Sequence, residues 1–191
     1  MTRPYIIAVI GKSTKDPESP PSPEALRAAE MVGANIAGAG AILITGGLSG
    51  VMEAASRGAK RANGLVIGML PGFHKEDANR FVDVAITTGM GWMRNTLVVR
   101  AADAVIMISG GIGTLNELTV AYQDKPTVVL EGTGGWSDRI REIAYAGKHL
   151  DESGSATLHF AATPEEAVEI ALRLAADPTA YPTGAEREFE S

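Results

Sequence analysis

The chain has 191 residues, enough for one well-buried core and short for two, and 45% hydrophobic against 21% charged residues describes an ordered globular protein. A formal net charge of -6 and a pI near 5.1 exclude a generally basic, nucleic-acid-binding surface, while leaving room for a local basic pocket. The absence of cysteine excludes disulfides, iron–sulfur clusters and thiolate metal sites.

In chain order, Tyr5–Ile10 reads as a first strand. The segment Met1–Thr14 has a short apolar run without a small-residue cleavage site, so a signal peptide is not expected. No run approaches the roughly 18 apolar residues of a membrane span. A cytoplasmic protein with neither membrane nor nucleic acid as partner is the expectation. Asp16–Pro23, with its prolines, reads as a surface loop before a helix over Glu24–Ala39, whose apolar positions are Leu26, Met31, Val32 and Ile36. Ala41–Thr45 is a strand, and Gly46–Gly50 turns into a helix from Val51 to Ala62. Strands follow at Leu65–Leu70, closed by Pro71-Gly72, and at Val82–Thr87.

A helix is expected over Trp92–Ala102, with Met93, Leu97, Val98 and Ala101 as its buried stripe and Arg94 directed elsewhere. The strand Ala104–Ile108 then runs through Ser109, Gly110 and Gly111 into a helix over Thr114–Tyr122. Thr127–Leu130 is a strand, Glu131–Gly135 a loop and Ser137–Ala146 a helix. The strand Thr157–Phe160 and the helix Pro164–Ala175, with Thr163 as N-cap, complete a Rossmann-like domain over residues 1–176. A polar tail, Asp177–Ser191, follows and is expected to fray. Continuously apolar strands alternating with helices predict an α/β, doubly wound, mostly parallel sheet with helices on both faces.

Two strand–glycine–helix junctions carry the chemistry: Gly46, Gly47 and Gly50, and Gly110, Gly111, Gly113 and Thr114. Ligands of open α/β sheets bind at the carboxyl ends of strands, where free amides and a helix dipole favour a phosphate. Packing of helix on sheet would also employ glycine, but two such turns on one edge favour a ligand. Gly11 and Ser13, after the first strand, can add an amide and a hydroxyl. A dinucleotide fingerprint fails, because Asn116 stands where the third glycine belongs, and a P-loop fails, because Ile6 stands where its first glycine belongs. Arg94 reads as a solvated surface arginine, as a salt-bridge partner, or as a guanidinium aimed at a ligand oxygen. Glu117 reads as a surface carboxylate, as capping-box partner of Thr114, or as a catalytic group. Trp136 could wall the site or pack into the core or an interface. His74, His149 and His159 share no ligand spacing, so no metal is assigned.

Arg94 with Ala102-Asp103, and Gly110-Gly111-x-Gly113-Thr114-x-x-Glu117, resemble the hallmark of the LOG ("Lonely guy") superfamily, whose members were long mislabelled lysine decarboxylases. Gly46-Gly47-x-x-Gly50-Val51-Met52 and Pro71-Gly72 are similar to its second glycine turn and the strand end after it, and the likeness spans roughly residues 5–175. The resemblance implies a phosphoribohydrolase that splits the N-glycosidic bond of a nucleoside 5′-monophosphate. It implies the 5′-phosphate on Gly110–Thr114, Arg94 and Glu117 as the catalytic pair, no cofactor for hydrolysis, and a homodimer. Ser109 stands where the family has proline, and Asn95 where it has lysine. These departures, with Gly132–Ile140, resemble the branch of the molybdenum-cofactor carrier proteins, which implies a non-catalytic carrier or sensor of molybdopterin or a nucleotide as the alternative.

Overall fold

The computed structural model describes residues 3–15 and 18–181. Seven strands make one sheet: β1 (Ile6–Gly11), β2 (Ile42–Thr45), β3 (Val66–Leu70), β4 (Val84–Thr87), β5 (Ala104–Ile108), β6 (Thr127–Leu130) and β7 (Leu158–Ala161). Their order is β4-β3-β2-β1-β5-β6-β7, and every pairing is parallel. The chain winds outward from β1 to β4, then returns to the other side of β1 as β5. That reversal puts the topological switch point between β1 and β5, where such sheets open a crevice.

Six helices cover the two faces: α1 (Pro23–Gly38), α2 (Val51–Arg61), α3 (Asn95–Arg100), α4 (Ile112–Asp124), α5 (Trp136–Ile143) and α6 (Pro164–Ala175). Alternation along β1 and β5 sends Ile7, Val9, Ile106 and Ile108 to one face, against Val32 and Ile36 of α1, Val51 and Ala55 of α2, and Ala171 of α6. It sends Ala8, Ile10, Val105 and Met107 to the other, against Val98 of α3, Leu118 and Tyr122 of α4, and Ile140 of α5. Each fully buried aliphatic side chain contributes about 1.5–3 kcal/mol. The doubly wound α/β sheet expected from the pattern is the one observed. Among the described residues no helix is long and apolar enough to cross a membrane.

Local chemistry sets the helix ends. Ser22 caps α1, its hydroxyl accepting from Ala25 N at 3.1 Å, with Pro23 behind it. Thr163 caps α6 in the same way, accepting from Glu166 N at 3.2 Å. The expected helix over Trp92–Ala102 is instead a 3-10 turn, Gly91–Arg94, followed by α3. A 3-10 turn advances with 3.0 residues per turn instead of 3.6, so the phase of the buried stripe shifts. Val98, Val99 and Ala102 are buried, whereas Met93 is 72% exposed and Ala101 lies outside. Met31 also faces outward on α1, and α5 ends at Ile143, three residues before the expected Ala146. β7 begins one residue later than expected. Asp16 and Pro17 of the proline-rich loop, and residues 182–191 of the expected tail, lie outside the described residues. Before them, Tyr181 donates its hydroxyl to Asp103 O at 3.2 Å.

Candidate functional site

β1 and β5 end side by side, with Gly11 paired to Ile108. A Cβ at Gly11 would stand 2.4 Å from Val51 Cγ1, so only glycine lets α2 come this close. After Ile108 the chain turns through Ser109 at φ +57° and Gly110 at φ +125° and enters α4 with Gly111 as N-cap. The first bond of the helix joins Leu115 N to Gly111 O at 3.0 Å. The amides of Ile112, Gly113 and Thr114 precede it and are the orphan donors of a helix start. A Cβ on Gly111 would meet nothing within 4 Å, so the turn opens into the cleft there.

Ser109 holds a left-handed conformation that a side-chain-bearing residue adopts at a cost of about 1–3 kcal/mol. Its surroundings fix it. Its N–H donates to Thr133 Oγ1 at 2.8 Å, and its carbonyl accepts from Ser137 N at 3.1 Å and Ser137 Oγ at 2.9 Å. A proline has neither that N–H nor that φ, so this backbone has no place for proline at position 109. The Gly132–Gly135 loop is gathered by Asp138, whose carboxylate accepts from Gly132 N at 2.7 Å and Gly134 N at 2.9 Å. It buttresses the turn from behind, with Trp136 N donating to Gly110 O at 3.2 Å. Trp136 itself is partly buried against the α3–α4–α5 layer and does not line the cleft.

Arg94 and Glu117 meet in the cleft. Each is only 6% exposed, and Arg94 Nη1 lies 3.2 Å from Glu117 Oε1. The same Nη1 donates to Asn95 Oδ1, whose Nδ2 donates to Asn116 Oδ1 at 2.9 Å. Arg94 Nε is buried with no hydrogen-bond partner. Burial pushes the Glu117 carboxyl up to about 7 against the pull of Arg94, and burial also lowers the Arg94 guanidinium. With Gly111 as N-cap and no side-chain cap at this end, Thr114 is the third residue of α4. The capping-box reading of Glu117 therefore fails, and its carboxylate is turned onto Arg94 instead.

The second glycine turn supports this pair. Gly46 lies behind Arg94, its carbonyl 3.5 Å from Nη2, and a Cβ there would stand 2.5 Å from the guanidinium. Gly47 N donates to Thr45 Oγ1 at 3.0 Å, and the leading amide of α2, Val51 N, donates to Lys12 O at 3.0 Å. Gly50, at φ +75°, passes so near Lys12 O that a Cβ would stand 2.4 Å from it. From this turn it is Leu48 and Met52 that line the cleft.

The cleft encloses about 480 Å³. Of the expected site residues it gathers Gly11, Ser13, Arg94, Gly111, Gly113, Thr114 and Glu117, while Gly46, Gly47, Gly50 and Gly110 shape its walls from behind. Sequence reasoning missed Lys12, Lys15 and Ser19 from the loop after β1, and Trp92 as the aromatic at the mouth. The lysines' place beside Gly11 and Ser13 was the available signal. Among the described residues no group of His, Asp or Glu is gathered to hold a metal.

The family described as LDcluster4, SLOG cluster4 family, matches residues 4–168. A protein of Archaeoglobus fulgidus, itself uncharacterized, is 43% identical over 134 residues, covering 66% of this chain and 83% of that one. The cytokinin riboside 5′-monophosphate phosphoribohydrolase of Mycobacterium tuberculosis is 35% identical over 143 residues, covering 66% of this chain and 76% of that enzyme. The molybdenum cofactor binding protein of Rippkaea orientalis superposes with a TM-score of 0.76 at 34% identity, over 91% of this chain and 99% of that one. With the sheet, the glycine turn and the arginine–glutamate pair in place, the chain belongs to the SLOG cluster4 family, within the LOG superfamily and close to the molybdenum-cofactor carrier proteins.

Proposed function

We propose that the cleft binds a phosphorylated, nucleotide-like ligand and hydrolyses the N-glycosidic bond of a nucleoside 5′-monophosphate. The observation that carries this reading is the buried Arg94–Glu117 pair one helical turn beyond an open glycine cradle. The ligand's phosphate sits on the Gly110–Thr114 turn and accepts from the orphan amides of Ile112, Gly113 and Thr114, each charge-assisted contact contributing about 1.5–3 kcal/mol. Gly11 and Ser13 complete the rim. A water attacks C1′ as the C1′–N bond breaks, the base leaves with the bonding pair and takes up a proton, and ribose 5-phosphate is released. Glu117, held near 7, is ionised in part at neutral pH and accepts the water's proton, a role contributing about 10²–10⁴-fold. Arg94 keeps that carboxylate oriented and balances negative charge as it develops. No cofactor takes part, and the protein acts in the cytoplasm as a homodimer.

The test is a panel of nucleoside 5′-monophosphates incubated with the protein, reading free base, with Glu117→Gln alongside. Release that falls by at least about 10²-fold in the variant is the expected result. Release that is unchanged in the variant overturns the catalytic assignment. A second reading is supported by the molybdenum cofactor binding protein, which superposes over 91% of this chain at 34% identity. In that reading the same cradle carries molybdopterin without transforming it. Tight pterin binding with no base released from any nucleotide would select it.

A further inference from the structure

Among the described residues, the ionic side chains lining the cleft are three cations, Lys12, Lys15 and Arg94, against one carboxylate, Glu117, in a chain of formal net charge -6. Arg94 is committed to Glu117. The two lysines are not accounted for by a single phosphate on the glycine cradle, because that cradle is made of backbone amides on the α4 side. The lysines belong to the loop after β1. Its course is fixed by three bonds to the second glycine turn: Val51 N donates to Lys12 O at 3.0 Å, and Thr14 N and Thr14 Oγ1 donate to Ser49 Oγ at 3.4 and 2.7 Å. The first of these also closes the leading amide of α2, Val51 N. Lys12 Nζ donates to Ser19 Oγ at 2.6 Å, and Lys15 Nζ lies 5.8 Å from the centre of the Trp92 ring. That ring's edge faces Gly113, 3.1 Å from where a Cβ would be, so the indole stands against both the lysine and the cradle.

Resting on the reading of the cleft as a nucleotide site, we propose that its ligand carries a second anionic group, held by Lys12 and Lys15 across Trp92 from the first phosphate. The ligand class is a nucleotide with two phosphates. They stand either in line, as in a nucleoside 5′-diphosphate, or across the sugar, as in a 3′,5′-bisphosphate. A monophosphate fills only the cradle and leaves both ammonium groups in water.

The test is calorimetric titration of the full-length protein, at one ionic strength, with AMP, ADP and adenosine 3′,5′-bisphosphate, repeated on Lys12→Gln/Lys15→Gln. Glutamine leaves the Lys12 carbonyl, and hence the α2 cap, in place. The wild type is expected to prefer ADP or the bisphosphate over AMP by about tenfold or more, the size of one charge-assisted contact. The double variant is expected to lose that preference while AMP affinity stays within about twofold. Which of the two ligands shows the effect tells an in-line diphosphate from a second phosphate across the sugar. No preference in the wild type, a preference that survives in the variant, or a parallel loss for AMP overturns the proposal, while AMP binding by the wild type still supports the nucleotide reading. A wild type that binds none of the three overturns both.

Discussion

Glu117 shows how far a spacing can be read. Thr-x-x-Glu before an apolar stretch is the pattern of a capping box, of a surface carboxylate, or of a catalytic acid–base group, and the glycines ahead of Thr114 are equally acceptable as N-cap. The backbone decides it: Gly111 takes that position, and Glu117 is left buried against Arg94. Arg94 was likewise ambiguous, because the 3-10 turn that buries it has no distinct composition. A consequence in stability follows from burial. The folded protein holds the Glu117 proton up to about pH 7, whereas the unfolded chain releases it near the ordinary 4.5. Below 4.5 both states keep the proton and the contribution is fully present. It is lost as pH rises from 4.5 to about 7, and it is flat above. Urea unfolding at pH 5 and pH 8 should therefore show wild type losing stability relative to Glu117→Gln, by an amount on the order of a few kcal/mol. An equal pH dependence in the two proteins would contradict a raised Glu117.

At the scale of elements, β5 is the most legible: five consecutive apolar residues, all buried, and paired on both sides. The contact of α1 with α2 is the least. Gly33 and Gly58 sit inside helices, where glycine costs about 1 kcal/mol in propensity and reads from sequence as a weakness. The structure supplies the reason. A Cβ on Gly33 would stand 1.9 Å from Ala55 O, and one on Gly58 1.8 Å from Glu30 O, so the two helices touch backbone to backbone. Glu30 also pairs with Arg57 at 2.7 Å along that contact. Propensity and packing thus predict opposite signs for Gly58→Ala, and overpacking wins, at about 1–3 kcal/mol. A lowered urea midpoint is the expected outcome. A midpoint unchanged or raised would mean that the helices separate without cost.

For the whole molecule, alternating apolar strands and helices made the doubly wound sheet legible, and two glycine junctions made its working edge legible. The cover of the cleft was not, because Lys12, Lys15, Trp92 and Glu117 come from distant stretches that only the β1–β5 switch point brings together. Among the described residues, the same arrangement places three cations in one cleft of an acidic chain. The central claim is that the open turn before α4 receives a ligand phosphate, and Gly111 tests it directly. A valine there meets no neighbour within 4 Å of its Cβ and requires no positive φ, so it fills the mouth of the cradle without disturbing the fold. Calorimetric titration of AMP into wild type and Gly111→Val, with circular dichroism to verify the fold, is the measurement. The account predicts binding to wild type and at least about a hundredfold loss in the variant, the worth of two charge-assisted contacts. Equal affinity in the two proteins would put the phosphate elsewhere and contradict it.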